Sequence, residues 1–170
     1  MCRGARPAHV LVAACLLVTT GCAATSIEDG RYRSPKGYRV VVPPSGWTVV
    51  NEDGVDLMLR YEASPAEMLV NASCEGVYRS RSREILARHL LMGLRHRTVV
   101  ERGEVAIDGR AAMHVVLEGE DADESVPVRV DAYVLKGDRC VYDFLYAAPA
   151  ASFEAGRDDF RRLLDSFRME

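Results

Sequence analysis

The sequence has no excess of basic residues: 22 Lys and Arg stand against 25 Asp and Glu. Non-specific nucleic-acid binding rests on clustered cations, so this balance argues against a nucleic-acid partner. After residue 18 no long apolar run recurs. A spanning helix needs roughly 20 apolar residues, so no permanent membrane span is expected. The sequence also lacks a G-x-S-x-G elbow, an H-E-x-x-H pair, a glycine-rich phosphate loop and a C-x-x-C pair. These are the patterns that place a nucleophile, a zinc ion, a nucleotide or a redox dithiol. The chain is therefore read as non-catalytic, with no cofactor, no metal and no catalytic residue expected. It has no internal repeat and no low-complexity segment.

What is present begins at the N-terminus, MCRGARPAHVLVAACLLVTTGC. Arg3 and Arg6 precede an apolar run of nine residues, 10–18, and small residues follow. A charged start, a short apolar stretch and a small-residue cleavage site read as an export signal. Gly21-Cys22 resembles the lipobox of bacterial lipoproteins. That resemblance implies acylation of Cys22, removal of residues 1–21 and anchoring through the new N-terminal Cys22. One acyl chain holds a protein only marginally, so the several chains of a lipoprotein would make the membrane contact. Ala23 resembles the sorting signal for the outer membrane. The expected location is thus the cell envelope, facing the periplasm, with the outer membrane favoured over the inner.

Removing 21 of the 170 residues leaves 149, enough for one domain with a real core. With Arg3 and Arg6 gone, 20 cations face 25 acidic groups, a formal charge of −5. Cys2 and Cys15 leave as well, so Cys74 and Cys140 remain in an oxidising compartment. They are read either as a disulfide or as two buried thiols.

Residues 22–36 are small, polar and turn-rich, and are read as a lipidated N-terminus and tether. Residues 37–170 are read as one domain. Tyr38 to Val42 and Trp47 to Val50 are extended segments around Pro43-Pro44-Ser45-Gly46, expected to form a hairpin. Alternation then puts Val55, Leu57, Leu59 and Tyr61 on one strand face, and Met68, Val70, Ala72 and Cys74 on another.

In SREILARHLLMGLRHR, residues 82–97, the apolar residues Ile85, Leu86, Leu90 and Leu94 recur at helical spacing. Ser82 is the expected cap and Gly93 a point of close packing. Arg79, Arg81, Arg83, Arg88, Arg95 and Arg97 surround this helix. They are the candidate surface for anionic headgroups or an acidic partner, against the plain reading of a solvated polar face. His89 and His96 would lie along the helix about 10 Å apart, too far to share a metal. His114 is expected to face outward from its strand.

Asp108-Gly109 between apolar runs signals a hairpin. EGEDADES, residues 118–125, reads as a solvated acidic turn without the spacing of a calcium loop. Val126, Val128, Val130, Ala132 and Val134 share one strand face, and Cys140, Tyr142, Phe144 and Tyr146 another. Phe160, Leu163, Leu164 and Phe167 form one stripe of a terminal helix.

The expected class is α+β: a mostly antiparallel sheet of about six to eight strands, with a central and a C-terminal helix covering one face. The segment from Gly37 to Trp47, the central helix, the Asp108-Gly109-Arg110-Ala111 hairpin and the last helix together resemble the PsbP-like/Mog1 fold. Proteins of that superfamily mostly bind or assist other proteins without a shared catalytic site. The resemblance implies a membrane-anchored module that binds or scaffolds an envelope protein. The alternative is a small-ligand or lipid-binding accessory of an envelope transporter.

Overall fold

A computed structural model describes residues 27–90, 93–121 and 126–170. Residues 1–21, expected to be a signal peptide, and Cys22 lie outside the described residues. The large sheet has seven strands: β4 (Trp47–Val50), β5 (Leu57–Tyr61), β6 (Glu67–Ser73), β7 (Leu94–Ile107), β8 (Arg110–Asp121), β9 (Pro127–Lys136) and β10 (Val141–Pro149). Their order is β4-β5-β6-β10-β9-β8-β7, and every pairing is antiparallel. A second sheet joins β1 (Ile27–Glu28), β2 (Arg31–Ser34), β3 (Tyr38–Val41) and β11 (Arg168–Met169) in the order β1-β2-β3-β11. Among the described residues there are three α-helices: α1 (Gly76–Arg79), α2 (Arg83–Leu90) and α3 (Glu154–Asp165).

The α+β class holds, with three corrections to its details. First, the helices cover opposite faces of the large sheet. Phe160, Leu163 and Leu164 of α3 join Tyr133, Leu135, Tyr142, Phe144 and Tyr146 in the larger core. Leu86 and Ala87 of α2 pack instead with Met113, Val115, Leu117, Val130, Ala132 and Val134. Successive strand residues point to opposite faces, so β8 and β9 are buried on both sides. Second, residues 27–34, expected to lie in the tether, form β1 and β2. Ile27 pairs with Tyr32 across a hairpin, and Tyr32 is buried in the core. Third, β3 and β4 do not pair with each other; they belong to different sheets.

Partly buried polar contacts tie the two sheets, chief among them those of Asp56. Asp56 accepts from Lys36 Nζ at 2.6 Å, Tyr38 Oη at 3.0 Å and the Ala72 backbone amide at 2.9 Å. β6 runs past the end of β5, and Asp56 meets the backbone that β5 leaves unpaired. Beyond α3 the chain turns so that Phe167 fills the same core, its ring 5.1 Å from Tyr142 and 4.9 Å from Phe144.

Trp47 Nε1 donates to Asp159 Oδ2 at 3.0 Å, drawing α3 close to β4. At Gly156 a Cβ would lie 2.8 Å from Tyr146 Oη and 2.9 Å from the Trp47 ring. Gly156→Ala gains up to about 1 kcal/mol of helix propensity. Pushing apart two buried rings costs ~1–3 kcal/mol. The expected result is a net loss, read as a lower urea midpoint; a gain would mean that Trp47 and Tyr146 yield freely.

Candidate functional site

The helix expected over residues 82–97 is described only through Leu90. Ser82 does cap it: its Oγ accepts from the Ile85 amide at 3.4 Å. Residues 94–97 belong to β7, paired with β8 through Leu94↔Asp121 and Arg95↔Glu120. Leu94 packs on the same core as Leu90, from a strand. Helical spacing and strand pairing thus bury the same residue. Ile85, placed in the apolar stripe, is 42% exposed. At Gly93 a Cβ would meet nothing within 4 Å, so no close packing occurs there.

This changes what the six arginines do. Arg83 is held by Glu104 of β7. Arg81 Nη1 lies 3.3 Å from His89 Nε2. The carbonyls of Arg79 and Arg81 both accept from Lys136 Nζ, at 2.7 and 2.9 Å. Arg95 and Arg97 stand on β7, with His96 between them at φ 50° in an irregular stretch.

A groove of about 230 Å³ forms between α2 and β7. Ala87, Val99, Val115 and Leu117 make its apolar floor, and Arg88, Arg97 and Arg102 its rim. Of the six arginines, the groove gathers Arg88 and Arg97. Arg102 was not anticipated. Strict alternation puts Val99 and Arg102 on opposite faces. The register shift between Val99 and Glu101 restores them to one face, with Val99 opposite Leu117 and Arg102 opposite Val115. β7 is an edge strand of the large sheet, and it exposes Val99 (54%) and Val100 (53%).

His114, expected outside, is buried beneath α3. Its Nε2 lies 2.7 Å from Asp131 Oδ1, and its ring stacks on Tyr133 with centroids 4.3 Å apart. Arg157 Nε reaches Asp131 Oδ2 at 3.4 Å, and Glu101 lies 3.6 Å from His114 Nδ1. Burial raises the Tyr133 hydroxyl well above its ordinary range, with nearby Asp131 adding to it. His114 and Asp131 thus form a buried polar bridge between β8, β9 and α3.

Of the acidic run, Glu118, Glu120 and Asp121 belong to β8, and residues 122–125 lie outside the description. Glu118 pairs with Arg129. Among the described residues no group of three or more His, Cys, Asp or Glu is arranged to hold a metal. Cys74 and Cys140 form a disulfide, with Cα atoms 4.0 Å apart where β6 and β10 end side by side. On the α2 face, Asp143 of β10 lies opposite Asn71 of β6. Burial pushes the Asp143 carboxyl up to about 7, and Asn71 Oδ1 is a buried acceptor without a donor. No helix among the described residues is long and apolar enough to cross a membrane.

No protein-family model matches the chain, and no curated protein matches it. Solved structures do. PsbP of the cyanobacterium Synechocystis sp. PCC 6803 (CyanoP) superposes with a TM-score of 0.62 at 16% identity, over 89% of this chain and 99% of that one. LpqN, involved in cell envelope biogenesis of Mycobacterium tuberculosis, gives 0.56 at 10% identity, over 79% and 85%. A Pseudomonas aeruginosa protein of unknown function gives 0.52 at 11% identity, over 72% and 96%. Identities this low carry the architecture and not the activity. The chain has the PsbP-like fold.

Proposed function

We propose that this is a non-catalytic, lipid-anchored module of the bacterial cell envelope that binds another envelope protein along β7. The observation that carries the reading is the conjunction at that edge. An edge strand offers backbone donors and acceptors to an added strand. The apolar floor beside it accepts a partner's side chain, and Arg88, Arg97 and Arg102 suit acidic flanks. Arginines and bulges also keep an edge from pairing with its own copies. They do not account for two neighbouring valines left more than half exposed. The partner that fits is an extended segment with apolar and acidic residues.

A ligand-binding role is the second reading. Ligand pockets run about 300–1,000 Å³, and the groove, at about 230 Å³, is smaller. It suits one or two side chains better than a whole lipid. The involvement of LpqN in cell envelope biogenesis is in keeping with an envelope location here. Anchoring through Cys22 and a periplasm-facing domain, outer membrane favoured, complete the proposal.

The test is co-purification from native membranes after gentle cross-linking, comparing wild type with Cys22→Ala. A stoichiometric protein captured with the wild type and lost with Cys22→Ala is the expected result. A wild-type chain that migrates alone would overturn the reading.

A further inference from the structure

The outer face of the small sheet carries arginines in an arrangement that folding does not explain. Tyr32 and Ser34 of β2, and Tyr38 and Val40 of β3, point inward and are buried. The alternate residues Arg31, Arg33, Arg39 and Val41 therefore point outward, and all are exposed. Register sets Arg33 opposite Arg39, and Arg39 opposite Arg168 on the next strand. Like charges directly opposite each other destabilise a sheet, yet here three stand in one row. Glu170 reaches Arg33 at 3.4 Å and Arg39 at 3.7 Å, and Asp108 lies 3.8 Å from Arg168. Glu28 sits opposite Arg31. Four arginines thus meet three carboxylates, Glu28, Glu170 and Asp108. Beside them lies a shallow depression of about 330 Å³ bordered by Arg31, Arg39, Val41, Ser166 and Arg168. Val41, 44% exposed, offers an apolar contact within this positive surround.

We infer that this face rests on a bilayer surface containing anionic phospholipid, and the inference builds on Cys22 being lipidated. β1 begins at Ile27, five residues after Cys22. Five residues reach at most ~18 Å, so a lipid on Cys22 holds the small sheet at the membrane. The mature chain is acidic overall, which disfavours contact of most of its surface with anionic headgroups. The arginine face is the side that such a membrane attracts, at a gain of about fivefold in binding per cation. The groove between α2 and β7 lies beyond the opposite face of the large sheet, so this orientation leaves it open to a partner.

The experiment uses the mature chain with Cys22→Ala, sedimented with phosphatidylcholine vesicles with and without phosphatidylglycerol, at low and at higher salt. Salt-sensitive binding to the anionic vesicles alone is expected. Arg33→Gln/Arg39→Gln/Arg168→Gln lowers it by about a hundredfold. The corresponding triple change to Lys keeps it, which separates charge from loss of fold. Absence of binding to the anionic vesicles, or equal binding by the Gln triple variant, overturns the inference. Mass spectrometry of wild type from membranes is the separate arm. An unmodified Cys22 beside charge-dependent vesicle binding fails the anchoring reading and keeps the surface. A lipidated Cys22 beside charge-independent binding fails the surface and keeps the anchor.

Discussion

Asp143→Asn is expected to stabilise the fold above pH 7 by about 2–4 kcal/mol. The carboxyl rises from 3.8 to about 7 because burial disfavours its charged form, and each unit is worth 1.36 kcal/mol. A carboxyl raised in the fold binds its proton more tightly when folded than when unfolded. Its favourable contribution is complete below the unfolded value and is lost as pH rises through the folded one. Wild-type stability should therefore decline between about pH 4 and pH 7 on account of this group. The variant should lack that decline. Asn71, opposite Asp143, adds to the effect: its Oδ1 lacks a donor, and a protonated acid or an amide can supply one. Urea midpoints across this range read both curves. Parallel curves would mean that water reaches Asp143 and its charge costs nothing.

Cys74→Ala/Cys140→Ala is expected to cost about 4 kcal/mol on the chain-entropy account of cross-linking. The bond spans a sequence separation of 66 and ties β6 to β10 at the centre of the large sheet. The two strands are also joined by their own ladder, from Val141↔Ser73 to Ala147↔Glu67. The cost is accordingly expected in the unfolded chain, which the cross-link no longer restrains. Denaturant midpoints with and without reductant should bracket the double variant: the reduced wild type matches it, and the oxidised wild type lies higher. A double variant as stable as oxidised wild type would show that the unfolded chain is compact without the bond.

The sequence was most legible where a strand has one buried face. Met68, Val70 and Ala72, or Tyr142, Phe144 and Tyr146, alternate with more accessible neighbours, and alternation is what a sequence displays. The Asp108-Gly109 turn was legible for a local reason. Both residues take positive φ, 48° and 72°, as two-residue hairpin loops require. His114 was misplaced because the same rule fails when both faces are covered: Met113 and Val115 face α2, while His114 turns to Asp131 and Tyr133 beneath α3. Arg102 escaped notice because a one-residue irregularity reverses the strand's phase, and nothing in the residues around Val100 announces it. Residues 27–34 read as tether because short strands carry little periodicity. Their pairing is set by Tyr32 entering a core built from distant parts of the chain. The groove is therefore a product of topology, assembled from α2, β7 and β8.

A partner is proposed to dock along β7. A photo-reactive residue replacing Val99, activated in native envelopes, tests it most directly. Val99 sits in the groove and is exposed. A single cross-linked protein band is predicted, weakened at least tenfold by Arg88→Glu/Arg102→Glu, because reversing two rim charges repels an acidic segment. The same probe at Val77, exposed on α1 away from the groove, should capture no such band. Equal capture from Val77 and Val99, or a Val99 band indifferent to the charge reversal, would contradict the account.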